Sequence, residues 1–134
     1  MADLAGQVRT FYEAVWNRRE LGLLPELLDE KIRFRGSLGA ETLGRAGFVA
    51  YLESVHRAFG DYRCIIEDLL CAPPKVFARM TFGGLHRGEV MGYPPTGRRV
   101  RWTGAALFTF RGERIRDLWV LGDLKGLEAQ LAAG

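Results

Sequence analysis

Histidine and cysteine are scarce in this 134-residue chain, with two of each. Too few ligands stand at metal-binding spacing to suggest a metal centre. Cys64 and Cys71 fall seven residues apart on one predicted strand, whose extended rise keeps its ends too far apart for a disulfide. They are expected as buried free thiols in a reducing compartment. Long apolar runs are missing too, and no stretch approaches the length that spans a bilayer. The opening residues, MADLAGQVRTF, show no basic segment followed by an apolar one. A cytoplasmic protein that does not enter a membrane is the expectation. Charge of one sign is not concentrated: 19 Lys and Arg stand against 16 Asp and Glu, a net +3. Basic residues cluster only at Arg18-Arg19 and at Arg98, Arg99 and Arg101, which an ordinary solvated face explains. Nucleic-acid binding would need a basic stripe with interleaved aromatics on one element, so no nucleic-acid partner is expected. Repeats and low-complexity tracts are absent. No glycine-rich phosphate cradle and no Ser or Cys nucleophile motif appears, and Gly97 and Gly104 lack the strand-to-helix context of a phosphate loop.

What is present reads as one domain over residues 1–134, long enough to bury a core. Asp3 is a plausible N-cap, and Leu4, Val8, Phe11, Tyr12, Val15 and Trp16 recur at helical spacing as far as Asn17. A shorter helix is predicted over residues 20–28, with Pro25 in its first turn, where a missing N–H costs little. Residues 31–35 alternate like a strand, and residues 36–44 read as a loop. Phe48, Leu52, Val55 and Phe59 mark a third helix, which Gly60-Asp61 is expected to stop. From Tyr62 onward the pattern changes to strands over residues 62–71, 76–86, 98–110 and 114–121. The residues 72–75 form a proline-fixed turn, and Gly83-Gly84 suggests a bulge or bend. Pro94-Pro95 excludes ladder pairing in the loop over residues 88–97. Helices early and an antiparallel meander late indicate an α+β fold.

The most informative stretch is residues 86–131. His86-Arg87-Gly88, Gly92-Tyr93-Pro94-Pro95-Thr96-Gly97, residues 115–123 and Gln130-Leu131 stand in an order that resembles the SnoaL-like polyketide cyclases and ester cyclases of the NTF2-like superfamily. The resemblance implies a cone: three N-terminal helices packed on a strongly curved antiparallel sheet, with a short C-terminal helix. It implies a pocket for a small hydrophobic molecule, walled by Trp16 and Tyr51 from the helices and by Trp102, Ala106, Leu118 and Val120 from the last hairpin. It also implies a homodimer, and chemistry without cofactor or metal.

Cyclases of that family close a ring by an intramolecular aldol reaction. Their acid/base aspartate corresponds here to Val120, and the histidine that supports it to Ala106. A positioned acid or base contributes roughly 10²–10⁴ in rate, which valine and alanine cannot supply. His86 and Asp123 remain as candidates for a substitute catalytic pair, since imidazole titrates near neutrality and a carboxylate can orient it. Each also has a structural reading. Asp123 precedes Leu124-Lys125-Gly126-Leu127 and fits a helix N-cap, and His86 fits a hydrogen bond at a strand-to-loop junction. His56, between Val55 and Arg57, reads as a surface histidine. Three functions follow as expectations: a cyclase- or isomerase-type enzyme acting on a carbonyl-bearing substrate, a binder of a hydrophobic ligand, or a dimerisation module.

Overall fold

The computed structural model describes residues 3–133. Asp3 caps α1 (Leu4–Thr10) by accepting the Gly6 N–H at 2.9 Å. That helix continues without a break into a π-helical segment, Phe11–Asn17. A short 3₁₀ turn, Leu21–Leu23, leads into α2 (Leu24–Leu27), with Pro25 in the first turn. Then follow β1 (Leu28–Arg35), β2 (Glu41–Leu43) and α3 (Gly44–Ala58). Four long strands complete the sheet: β3 (Phe59–Ala72), β4 (Lys75–His86), β5 (Arg99–Arg111) and β6 (Arg114–Gly122). Last comes α4 (Leu124–Ala132).

The six strands lie in the order β2-β1-β6-β5-β4-β3. The last two long strands are neighbours, as the hairpin at Arg111-Gly112-Glu113 requires. All pairs are antiparallel except β1 with β6, which is parallel. Along β4 and β5 alternate residues are buried and exposed, so the sheet has one face against the helices and one toward solvent. Val76, Ala78, Met80, Phe82, Trp102, Ala106, Phe108, Leu118 and Val120 turn inward and join one core with Phe11, Trp16, Phe48 and Tyr51.

Several expectations change. Gly60-Asp61 does not end a helix in a turn; α3 stops at Ala58 and β3 begins at once. The reason lies in Phe59 and Tyr62, buried residues that fix the chain to the sheet. The irregularity expected in Gly83-Gly84 belongs to the partner strand. Gly60 pairs with Leu85 and Arg63 with Gly83, so β3 carries one extra residue there. Asp61 occupies that bulge at φ 51°. The loop over residues 36–44 contains β2, which pairs with β1 through Arg33–Leu43, Phe34–Thr42 and Arg35–Glu41. Of the two thiols, Cys64 is buried but Cys71 is exposed at the open edge of the sheet.

Edge strands need protection from unwanted pairing. Here Asn17, at the end of the first helix, donates its amide N–H to the Cys64 carbonyl at 2.9 Å and accepts the Cys64 N–H at 2.8 Å. One side chain thus imitates a neighbouring strand.

Candidate functional site

The interior of the cone is built from aromatic rings on three elements. The π-helical segment contributes Tyr12 and Trp16, and five of its seven residues are buried. Tyr51 and His56 come from α3, and Cys64, Phe82 and Trp102 come from the sheet. Trp16 meets Tyr51 edge-on at a centroid distance of 6.0 Å and Phe48 at 5.7 Å. Trp102 packs on Phe59 at 5.2 Å and Phe82 at 5.8 Å, with Tyr62 bridging toward Trp16. Such edge and tilted pairs add about 0.5–1.5 kcal/mol each beyond area burial.

Every residue expected to line a pocket lies on this inner surface. Trp16, Tyr51, Trp102, Ala106, Leu118 and Val120 are each 8% exposed or less. Ala106 and Val120 are direct cross-strand partners. The two positions that the resemblance couples as histidine and aspartate therefore face each other here as two apolar side chains. Close approach is enforced by missing side chains: a Cβ on Gly36 would collide with the Tyr51 ring, and one on Gly122 would press on Trp102 Nε1 at 3.1 Å.

Polar atoms in this interior fall into two groups. Some are satisfied. The Tyr51 hydroxyl accepts the Leu38 N–H at 3.2 Å. His56 Nε2 donates to the Trp16 carbonyl at 2.9 Å, with its ring stacked on Trp16. His56 is thus a core residue, 7% exposed, rather than the surface histidine expected. Burial lowers its pKa, and Arg19 and Arg87 act in the same direction against the Trp16 carbonyl, so the imidazole is held neutral. The signal was present: Phe48, Leu52 and His56 stand four residues apart on one helical face.

The others have no protein partner. Tyr12 Oη, Trp102 Nε1 and His86 Nε2 are buried without a hydrogen bond. Burial, with Cys64 and Tyr51 close by, raises the Tyr12 hydroxyl well above its ordinary pKa. Tyr62 and the Cys64 thiol are pushed up as well, chiefly by burial. These groups stay protonated at neutral pH, so they can donate hydrogen bonds but cannot serve as bases. Sequence reading placed Tyr12 only in a helical stripe; its period could not separate a hydroxyl at the core from one at the rim.

His86 and Asp123 hold separate positions. Thr96 N–H donates to His86 Nδ1 at 3.2 Å, so the ring proton sits on Nε2. His86 N–H donates to Arg98 O, and Gly97 N–H donates to His86 O. The residue clasps both ends of the loop between β4 and β5. Asp123 is exposed and accepts the Gly126 N–H at 2.9 Å as the N-cap of α4. No hydrogen bond or ion pair joins the two among the described residues.

Gln130 was noted only as part of the family pattern. Beyond Gly122, β6 no longer covers β5, and Gln130 takes over its ladder. Its amide accepts the Arg101 N–H at 3.0 Å and donates to the Arg101 carbonyl at 2.7 Å. Among the described residues no cluster of His, Cys, Asp and Glu is arranged to hold a metal, and no helix is long and apolar enough to cross a membrane.

Comparison with known proteins gives the same architecture. TsrD from Streptomyces laurentii is 27% identical, with a TM-score of 0.84, covering 96% of this chain and 94% of its own. Wild-type IdmH from Streptomyces antibioticus is 27% identical with a TM-score of 0.83, over 98% of this chain and 99% of its own. A SnoaL-like polyketide cyclase from Agrobacterium tumefaciens, at 23% identity and a TM-score of 0.85, covers 98% of this chain and 100% of its own and shares the fold. No curated protein matches. The family described as SnoaL-like polyketide cyclase matches residues 6–131. This chain therefore belongs to the SnoaL-like polyketide cyclase family.

Proposed function

We propose that this protein is a cofactor-free cyclase- or isomerase-type enzyme that takes a hydrophobic, carbonyl-bearing molecule into its interior. The observation that carries the reading is that buried donors of the interior, Tyr12 Oη and Trp102 Nε1 along with His86 Nε2, meet no protein partner. An unmet buried donor costs about 1–3 kcal/mol. A ligand oxygen that accepts from one of them recovers that cost. Because the surrounding side chains are close-packed, the ligand must part Trp16, Tyr51 and Trp102 to enter. The π-helical segment that carries two of the site's aromatics is the element to yield, since such segments are less regular than α-helix.

Ring closure or isomerisation passes through an enolate. A neutral donor that meets that oxygen stabilises it where water is excluded. The raised pKa of Tyr12 keeps its proton in place, so the hydroxyl acts as a hydrogen-bond donor to the oxygen that forms. With Val120 and Ala106 at the positions of the family's acid/base pair, the α-proton is lost to bulk water before the substrate enters, which requires it to be acidic, as it is between two carbonyls. His86 and Asp123 are engaged in the loop clasp and helix cap. The reading therefore assigns the chemistry to Tyr12 and Trp102 ahead of that pair. Turnover of a β-diketone such as benzoylacetone, followed through its enol absorbance, tests it. Loss of roughly 10²–10³ in kcat for Tyr12→Phe is expected.

A second reading is binding without transformation, favoured by the lack of an ionised base among the interior tyrosines and Cys64. Recovery of unchanged ligand in native mass measurement would favour it, and product would exclude it.

A homodimer fits either reading. On the outer face Leu70, Phe77, Leu107 and Trp119 form one cross-strand row over β3, β4, β5 and β6. They are between 37% and 67% exposed, and Leu121 extends the patch. Such an area is the kind that a second copy covers.

A further inference from the structure

A groove of about 780 Å³ opens over β3, β4 and β5, at the end of the outer face away from the apolar row. Its walls are set by strand register: Arg63 on β3 lies opposite Gly83 on β4, which lies opposite Arg101 on β5. Two residues before Arg101, Arg99 shares its face of the sheet. Two arginines thus flank a glycine, and a third stands beside them. The floor has no side chain to fill it. A Cβ on Gly83 would meet the Val100 carbonyl at 2.7 Å.

The neutral polar groups in this groove are already engaged. Asn17 binds the Cys64 backbone, Thr81 donates to Glu67 at 2.7 Å, and Gln130 holds the Arg101 backbone. Unused N–H donors are left on the guanidinium groups. Arg99 makes one exposed contact with Asp61 at 3.3 Å. Among the described residues the side chains of Arg63 and Arg101 make no ion pair, Arg101 bonding through its backbone alone. Asp61 is the one carboxylate in the lining, held by the β3 bulge in a left-handed conformation. Three positive charges against one negative leave an excess of two.

We propose that this groove, on the solvent side of the strands that carry Tyr62 and Phe82, is a binding site for a small molecule carrying a phosphate dianion. Guanidinium forks match phosphate oxygens in pairs. The volume is that of a small-molecule site, and the excess charge equals that of the ligand. Ile65, half exposed, supplies an apolar border for the rest of the molecule.

Titration of the intact protein with inorganic phosphate, followed by amide chemical shifts at constant pH and ionic strength, tests the site. Saturable shifts centred on Asp61, Arg63, Gly83, Gly84 and Arg101 are expected, with acetate at least tenfold weaker. The double variant Arg63→Gln, Arg101→Gln should bind phosphate at least tenfold more weakly while its Tm holds, because neither side chain supports the fold. Shifts that never saturate, that scatter over all basic surface, that persist in the double variant, or that acetate reproduces at equal concentration would each overturn the proposal.

Discussion

Tyr12 is where stability and function pull apart. Its hydroxyl sits in the core with no partner, so replacement by phenylalanine removes a desolvated group without opening a cavity. Tyr12→Phe is expected to raise stability by about 1 kcal/mol, measured by urea unfolding, while it weakens binding of benzoylacetone. A hydroxyl with a purely structural role would give the opposite sign in the first measurement and no change in the second. His56 makes a pH prediction. Its folded pKa is lowered from 6.5, mainly by burial. Below about 6.5 the unfolded chain takes up a proton that the folded one resists, so stability is lost as pH falls through that range. Unfolding titrations across this range should show the decline, and His56→Gln should flatten it.

At the scale of elements, two side-chain amides do work that strands normally do. Asn17 closes the free edge of β3, and Gln130 continues the ladder on β5 where β6 has ended. Gln130→Ala deletes both bonds to Arg101 and one to the Gly126 carbonyl. A loss of roughly 1–3 kcal/mol is expected, with faster amide exchange confined to the start of β5 and to α4. The helices and long strands were legible because the apolar period was clear, and Asp3 and Asp123 could be read as caps from the residues that follow them. β2 was not legible. Three residues, Glu41–Leu43, carry no alternation of their own, and only pairing with β1 makes them a strand. The bulge also moved, because an extra residue in β3 and two glycines in β4 give the same local sequence signal until the register is known.

Considered whole, the molecule has a closed aromatic interior, a basic end and an apolar end to its outer face. Composition could not reveal that division. Arg98, Arg99 and Arg101 looked like one cluster, yet alternation separates them: Arg99 and Arg101 face the groove, while Arg98 turns to the Gln130 carbonyl at 3.0 Å. Which strand faces point inward was foreseen from the family pattern, whereas the hollow expected between them is closed by packed aromatic rings. The partnerless donors of that interior were not foreseen, because hydrogen-bond satisfaction depends on three-dimensional neighbours. Trp119 tests the outer face. Its ring stands at the end of the apolar row, with the Arg35 guanidinium 5.9 Å from its centroid. Trp119→Glu is expected to convert a dimer to a 15.0 kDa monomer in sedimentation without altering the interior.

The most direct measurement is calorimetric binding of benzoylacetone to the wild type and to the Tyr12→Phe, Trp102→Phe double variant. The account predicts saturable binding with a negative heat-capacity change, weakened at least tenfold when both donors are removed. Equal affinity in the two proteins, with both folded, would contradict it.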